Sequence, residues 1–370
     1  MKTLYVFILA IAVLLYVDAL PYIPSKVVTI PLKEKRITRR KPRKFDRRDT
    51  TNVEVDQQHP DIAYFGELFF GDSKFDIQFD TGSADLWVID DACLSPACDD
   101  KNRYDPETDE DFQDLHENFN AEYDKGTVTG TQGTTIVQIG DLSIRQKFGL
   151  AVTLTDDFQR DEFDGMMGMA FNVASQNDQI TLISNLFNDN NNHFDAQQFS
   201  FKLGRDADGT EGELTIGGVN SESFTGELTW TGLSENNGGL WIIPLDDCLV
   251  NGAALNLAGR IANLDTGTTL IVVPHADAQQ VYANIQHEEK NGHFYISCDV
   301  QVTISMRING ATWNIDQRDF IIEDGDECYG AIDGTDDGPA NEWILGAAFL
   351  KNVYSVFDLG GIQIGLGQLA

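Results

Sequence analysis

Two short stretches place carboxylates where they could do chemistry. Residues 79–83 read Phe-Asp-Thr-Gly-Ser, and residues 264–268 read Leu-Asp-Thr-Gly-Thr. One such stretch alone is what any loop between strands looks like. The pair says more. Asp80 and Asp265 lie 185 residues apart, and each is followed by a further echo, Met166-Met167-Gly168 in FDGMMGMAF and Ile344-Leu345-Gly346 in EWILGAAFL. The offsets from Asp to that Gly are 88 and 81 residues. A pattern repeated in the same order at similar spacing marks two related halves. Two carboxylates brought together cannot easily both ionise, because like charges a few ångströms apart repel strongly at low effective dielectric. One keeps a proton and serves as general acid; the other is a general base on a shared water.

The elements that must hold such loops read as strands. Short alternating or apolar runs recur between Gly, Asn and Asp: AYFGELFFG, FDIQFD, TTIVQIG, SFKLG, ELTIGG, GLWIIPL, HFYISC, VTISMRING, SVFDL and IQIGLG. Helical patterns are few. The best are TLISNLFNDNN and PHADAQQVYANIQHEEK, the second with apolar spacing at Ala276, Val281 and Ile285. A mostly-β chain of this size predicts barrels or sandwiches.

The chain has 370 residues, enough for two domains, and is 42% hydrophobic and 23% charged, a globular composition. Its net charge of −33 hides an asymmetry. Residues 1–50 carry 12 Lys/Arg against 4 Asp/Glu, and the rest carry 14 against 55, a net of −41. That acidic body should repel nucleic acid and anionic membrane. Lys2 followed by an apolar run from Leu4 to Tyr16, with small residues around Ala19, reads as a signal peptide too short to span a bilayer. The basic stretch KVVTIPLKEKRITRRKPRKFDRR reads as a detachable segment docking on the acidic body, with Arg47-Arg48 suited to dibasic processing. Cys93 and Cys98 enclose LSPA, Cys298 and Cys328 lie in the C-terminal half, and both pairs suit disulfides in an oxidising compartment. Cys248 is left over and reads as a buried thiol. The spacings suggest no metal site.

From about residue 60 to 370 the chain resembles the pepsin-like aspartic proteases of the pepsin and cathepsin D type, through FDTGSADLWV, FNAEYDKGTVTG, FDGMMGMAF, ELTIGG, LDTGTTL, WILGAAF and YSVFD in the family's order. The aspartic-protease dyad is itself the standard case of paired carboxylates that titrate as a unit. The resemblance implies two mostly-β lobes with a cleft between them, each giving one Asp-Thr-Gly loop to its floor. Asp80 and Asp265 would be the catalytic pair. Gly82 and Gly267 would let backbone N–H groups reach the carboxylates. Thr81 and Thr266 would link the loops, and Ser83 and Thr268 would bond the outer carboxylate oxygens. Tyr123 would lie on a flap over the cleft, bonded to Trp87, with Asp124 beside it facing substrate. An extended peptide would lie across the cleft by strand addition. The chain departs from the pattern at the charged flap tip Asp124-Lys125, at Asn263, at Ala347, in lacking Gly-Thr-Pro before the first loop, and in lacking a third disulfide.

The expected organisation is a signal peptide over 1–19, a basic propeptide over 20–50, an N-terminal lobe over 51–225 and a C-terminal lobe over 226–370. The expected function is an acid endopeptidase made as a zymogen, cutting polypeptides with no cofactor. It would be a secreted or lumenal monomer, in a digestive lumen or lysosome, with its propeptide as intramolecular inhibitor. The alternative is a catalytically silent member that binds peptides or proteins. Silent forms usually lose an Asp or alter an Asp-Thr-Gly, and neither is altered here; only the flap tip favours that reading.

Overall fold

The computed structural model describes residues 26–34, 63–189, 194–205, 208–210, 212–290 and 292–370. The expected signal peptide, most of the basic segment and Arg47-Arg48 lie outside these residues.

In the first half, β2 (Tyr64–Phe70) turns at Gly71, φ 56°, into β3 (Ser73–Asp80); β1 (Val28–Glu34) precedes both. Alternation in β3 sends Phe75, Ile77 and Phe79 into the core and Gln78 to the face of Asp80. Phe79 lies against Gly66, where a Cβ would sit 2.8 Å from the ring. After the Asp80 loop the chain returns as β4 (Leu86–Ile89), then forms β5 (Gln113–Tyr123), β6 (Gly126–Ile139) and β7 (Leu142–Leu154). β8 (Gly165–Gly168) inserts between β3 and β4, parallel to the first and antiparallel to the second.

The second half repeats this plan. Strand Arg260–Leu264 leads into the Asp265 loop, strand Ile271–Pro274 leaves it, and strand Glu342–Leu345 lies between them, parallel to the first and antiparallel to the second. In each half the apolar-apolar-Gly motif is thus the strand that braces an Asp loop from below. Its glycine has to be small: a Cβ on Gly168 would lie 2.5 Å from the Ala84 backbone, and one on Gly346 would lie 2.3 Å from the Leu270 carbonyl oxygen. The result is the mostly-β bilobal fold expected of the family.

Among the described residues one sheet of 13 strands runs through both halves. It contains β9 (Gln198–Lys202), β10 (Gly212–Ile216) and the C-terminal strands Tyr354–Asp358 and Gln363–Leu369. β1 lies inside it, paired to β10 from Val28↔Ile216 to Leu32↔Gly212 and to β2 at Lys33↔Phe65 and Glu34↔Tyr64. Val28, Ile30 and Leu32 are buried there, so this part of the basic segment is a sheet strand.

Helix Leu182–Asn188 is capped by Thr181, whose hydroxyl accepts from Ser184 N at 3.2 Å. The second helical pattern is only half helix. His275–Tyr282 is helical, whereas His287–Lys290 is a strand paired with His293–Ile296. Tyr282 stacks on Phe294 at 4.3 Å, and this hairpin packing overrides the helix propensity of Glu-Glu-Lys. Both disulfides, Cys93–Cys98 and Cys298–Cys328, are formed. Cys248 is buried, and burial pushes its thiol up to about 12, which makes it inert. No helix among the described residues is long and apolar enough to cross a membrane.

Candidate active site

The two Asp loops meet tip to tip and are cross-linked by their threonines. Thr81 N donates to Thr266 Oγ1 and Thr266 N to Thr81 Oγ1, both at 3.0 Å. The Thr81 hydroxyl donates to the Leu264 carbonyl and that of Thr266 to the Phe79 carbonyl, both at 2.7 Å. Each hydroxyl is therefore both donor and acceptor across the interface, and no polar atom of this buried crossing is wasted.

Behind this crossing the two carboxylates are held alike. Gly82 N donates to Asp80 Oδ1 and Gly267 N to Asp265 Oδ1, both at 2.8 Å. Ser83 Oγ donates to Asp80 Oδ2, and Thr268 Oγ1 donates to Asp265 Oδ2 at 2.6 Å. The glycines are also spacers for the opposite lobe. A Cβ on Gly82 would lie 2.6 Å from Asp265 Cγ, and one on Gly267 would lie 2.3 Å from Asp80 Oδ1. Asp80 and Asp265 are 5% and 9% exposed, so little water screens one from the other. Burial, and then the charge of Asp265, pushes the Asp80 carboxyl up to about 8 against the pull of Ser83 and Gly82. Such a proton belongs to the pair as a unit. Chemically, this is one proton to give and one lone pair to take it up, side by side in a water-poor cleft.

Strands β5 and β6 form a hairpin with its tip at Asp124-Lys125 and Tyr123 opposite Gly126. Trp87 Nε1 donates to the Tyr123 hydroxyl at 2.9 Å. Burial, then the charges of Asp80 and Asp85, hold the Tyr123 phenol protonated far above its ordinary range. Both rings pack edge-on against Phe158, each at 6.0 Å. Asp124 is exposed at the turn.

The sequence reading missed what grips the outer edge of this hairpin. Gln176 accepts from Glu122 N at 3.0 Å and donates to Glu122 O at 2.9 Å. Asn177 does the same for Asn120, at 2.9 and 3.0 Å. Two side-chain amides thus imitate a neighbouring strand. They are fixed in turn by Asp85, which accepts from Ser175 Oγ at 2.5 Å and from Gln176 N at 2.9 Å. The only signal in the sequence is the amide-rich run Ser175-Gln176-Asn177, which reads as an ordinary loop.

One departure from the family pattern has a buried amide at the matching position of the other half. Asn263, two residues before Asp265, is buried with its Oδ1 unpaired among the described residues. Gln78, two residues before Asp80, is buried with Oε1 unpaired in the same way. Ala347 is buried at the start of helix Ala347–Leu350, its N–H donating to Thr268 O at 2.8 Å. No group of His, Cys, Asp and Glu among the described residues could hold a metal ion.

The family model of the eukaryotic aspartyl proteases matches residues 63–369. Cathepsin E-B of Xenopus laevis is 32% identical over 321 residues, 84% of this chain and 80% of the relative. Gastricsin of Cavia porcellus is 31% identical over 323 residues, 84% and 81% of the two chains. Pepsin A of Sus scrofa is 31% identical over 325 residues, 85% and 83% of the two chains. Paired loops, bilobal sheet architecture and sequence likeness over nearly all described residues converge on one assignment: this chain belongs to the eukaryotic aspartyl protease family and is an aspartic-type endopeptidase.

Proposed function

We propose that this protein is an acid endopeptidase that cleaves polypeptides with Asp80 and Asp265 as its dyad. The observation that carries the reading is the reciprocity of the two loops, each of which needs the other to satisfy its threonine and to leave room for its carboxylate. An extended peptide lies across the cleft under the Tyr123 hairpin, with Gly267 and the hairpin offering backbone groups to it. The ionised carboxylate takes a proton from water as the water oxygen attacks the scissile carbonyl carbon. The protonated carboxyl gives its proton to the carbonyl oxygen. The tetrahedral adduct then collapses: its nitrogen takes the proton that came from the water, the C–N bond breaks, one hydroxyl of the adduct gives its proton to the other carboxylate as the new C=O forms, and the pair is left with one proton and no acyl-enzyme. Thr81, Gly82, Ser83, Thr266, Gly267 and Thr268 hold the pair; Tyr123 and Trp87 form the flap and its brace, and Asp124 faces the substrate.

The same reading makes the protein a zymogen. Its signal peptide is 1–19 and its propeptide 20–50, with an N-terminal lobe over 51–225 and a C-terminal lobe over 226–370. The proposed lobe boundary falls within strand Phe224–Gly232 of the shared sheet. A segment of net positive charge on a body of net −41 is held most firmly at neutral pH and released as carboxylates protonate. We place the protein outside the cell or in a lumen, as a monomer.

The test is acid-activated cleavage of a denatured protein, with and without pepstatin, beside Asp80→Asn and Asp265→Asn. Each substitution is expected to lower kcat/KM by at least about a thousand-fold. Activity that survives either one sinks the dyad assignment. A wild-type protein silent from about pH 3 to 6 would favour the peptide-binding alternative instead.

A further inference from the structure

We propose that Lys125 is a positioning residue: it anchors the flap tip to the segment Thr155–Phe163 of its own lobe and so sets where Tyr123 stands over the dyad. This rests on the reading of the β5–β6 hairpin as the flap.

A lysine at an exposed hairpin tip normally trails into water. This one folds back. Its Nζ lies 2.6 Å from Asp161 Oδ2 and 4.5 and 4.8 Å from the ring centroids of Phe158 and Phe163. The Asp161 side chain is 17% exposed and that of Lys125 37%, so the pair is half-shielded. An ammonium over two ring faces with a carboxylate at its end is held by charge, by ring quadrupole and by the packing of its stem.

The backbone of the turn is pressed onto the same segment. Thr127 N donates to Thr155 Oγ1 at 3.2 Å, and Thr155 N donates to Thr127 O at 3.1 Å. Gly126 has φ 155°, and a Cβ there would lie 2.0 Å from Thr155 Oγ1. Phe158 is fully buried and is also the ring against which Tyr123 and Trp87 pack. One ring therefore senses both the ammonium of the tip and the phenol beside the dyad, and seating Lys125 seats Tyr123. Other charges surround the anchor. Lys101 approaches the Phe163 ring at 5.8 Å, its Nζ donating to the Phe158 backbone carbonyl at 2.6 Å. Asp161 is the carboxylate that Lys125 meets.

This makes the flap tip a different kind of fastening from the edge gripped by Gln176 and Asn177. The edge bonds are neutral and replicate a strand. The tip is ionic and aromatic, so its hold weakens with salt.

The test starts from the full chain, activates it with acid, and reads pepstatin dissociation together with KM and kcat on a peptide substrate. Lys125→Met keeps the stem and removes the charge; Asp161→Asn removes the partner. Each is expected to release pepstatin about 3- to 10-fold faster and to raise KM by a similar factor. The double variant should be no worse than either single one. Lys125→Arg should restore slow release, and high salt should shrink the gap between wild type and Lys125→Met. Unchanged release in Lys125→Met, or losses that add in the double variant, overturn the anchor. Tyr123→Ala separates the two levels. If it too changes nothing, the flap reading itself fails; if it speeds release while Lys125→Met does not, only the anchor fails.

Discussion

The loops around Asp80 and Asp265 have the same backbone plan, the same hydrogen bonds to their carboxylates and the same brace from an apolar-apolar-Gly strand. They differ just downstream. Five and seven residues after Asp80 stand Asp85 and Trp87; at the same steps after Asp265 stand Leu270 and Val272. Asp85 and Trp87 reach out of the first loop to hold the hairpin, Asp85 through Ser175 and Gln176, Trp87 through the Tyr123 hydroxyl. Leu270 and Val272 leave the strand after the second loop apolar. The second loop puts its polar chemistry elsewhere: Arg260 grips Asp277 at 2.6 and 2.8 Å, and Trp343 Nε1 donates to the same carboxylate at 2.9 Å, tying the strand to helix His275–Tyr282. The shared plan makes the pair of carboxylates; two substituted positions tie the first loop to the β5–β6 hairpin, while the second half spends its polar contacts on its own strand and helix.

The equivalence of the loops is most severely strained by adding one methyl to each. Gly82→Ala and Gly267→Ala each drive a Cβ into the opposite carboxylate, and each should lower kcat/KM by at least about a hundred-fold. Full activity in either variant would show that the two halves are not reciprocal.

Stability against pH comes next. The Asp80 carboxyl is raised in the folded state from 3.8 to about 8, so between those values the folded protein binds more protons than the unfolded chain. The contribution of this one group to stability is then fully present below the lower value and is lost as pH rises through the window, on the order of a few kcal/mol. Asp80→Asn and Asp265→Asn should both flatten that fall in denaturant titrations at pH 4, 6 and 8. A fall left unchanged by Asp265→Asn, which removes the neighbouring charge but not the burial, would mean that the proton is not shared.

The asymmetry is probed by Trp87→Phe, which keeps the ring on Phe158 and deletes the bond to Tyr123. It should cost about ten-fold in kcat/KM at temperatures where the variant is fully folded, alongside a loss of stability of about 1–3 kcal/mol from the smaller buried ring. Val272→Ile, the counterpart change in the second loop, should leave kinetics alone; equal losses at both would contradict the division of labour. Smallest of all, Gln78→Leu and Asn263→Leu remove buried amides whose oxygens are unpaired. Each should be neutral or stabilising by up to about 1 kcal/mol in urea unfolding. A loss above about 2 kcal/mol would mean that these oxygens have a partner, such as a buried water.

The repeat was legible because it is local: Asp, Thr and Gly lie next to one another, and the brace is a run of three. Strand alternation was legible for the same reason, since period-two burial needs only neighbours. The amide clamp was not, because Gln176 serves Glu122 from 54 residues away and nothing in the loop's composition says that an amide will stand in for a peptide group. Nor did the helical pattern around Ile285 announce that Glu288 and Glu289 would be pulled into a hairpin by Phe294 under Tyr282. Lys125 read as an odd tip residue; its meaning depends on Phe158, Phe163 and Asp161, which are near it only in the fold.

The position of β1 bears on the order in which the protein can be made. It is the earliest strand among the described residues, yet its main neighbour is β10, close to two hundred residues later, and the same sheet holds the late strand Gln363–Leu369. During synthesis Val28, Ile30 and Leu32 must wait, apolar side inward and edge unpaired, for partners that leave the ribosome much later. Closing the sheet is then a late, long-range event with a high loop-closure cost. A ribosome stalled before residue 198 would hold a chain whose β1 has only the short contact with β2 at Lys33 and Glu34 to rest on.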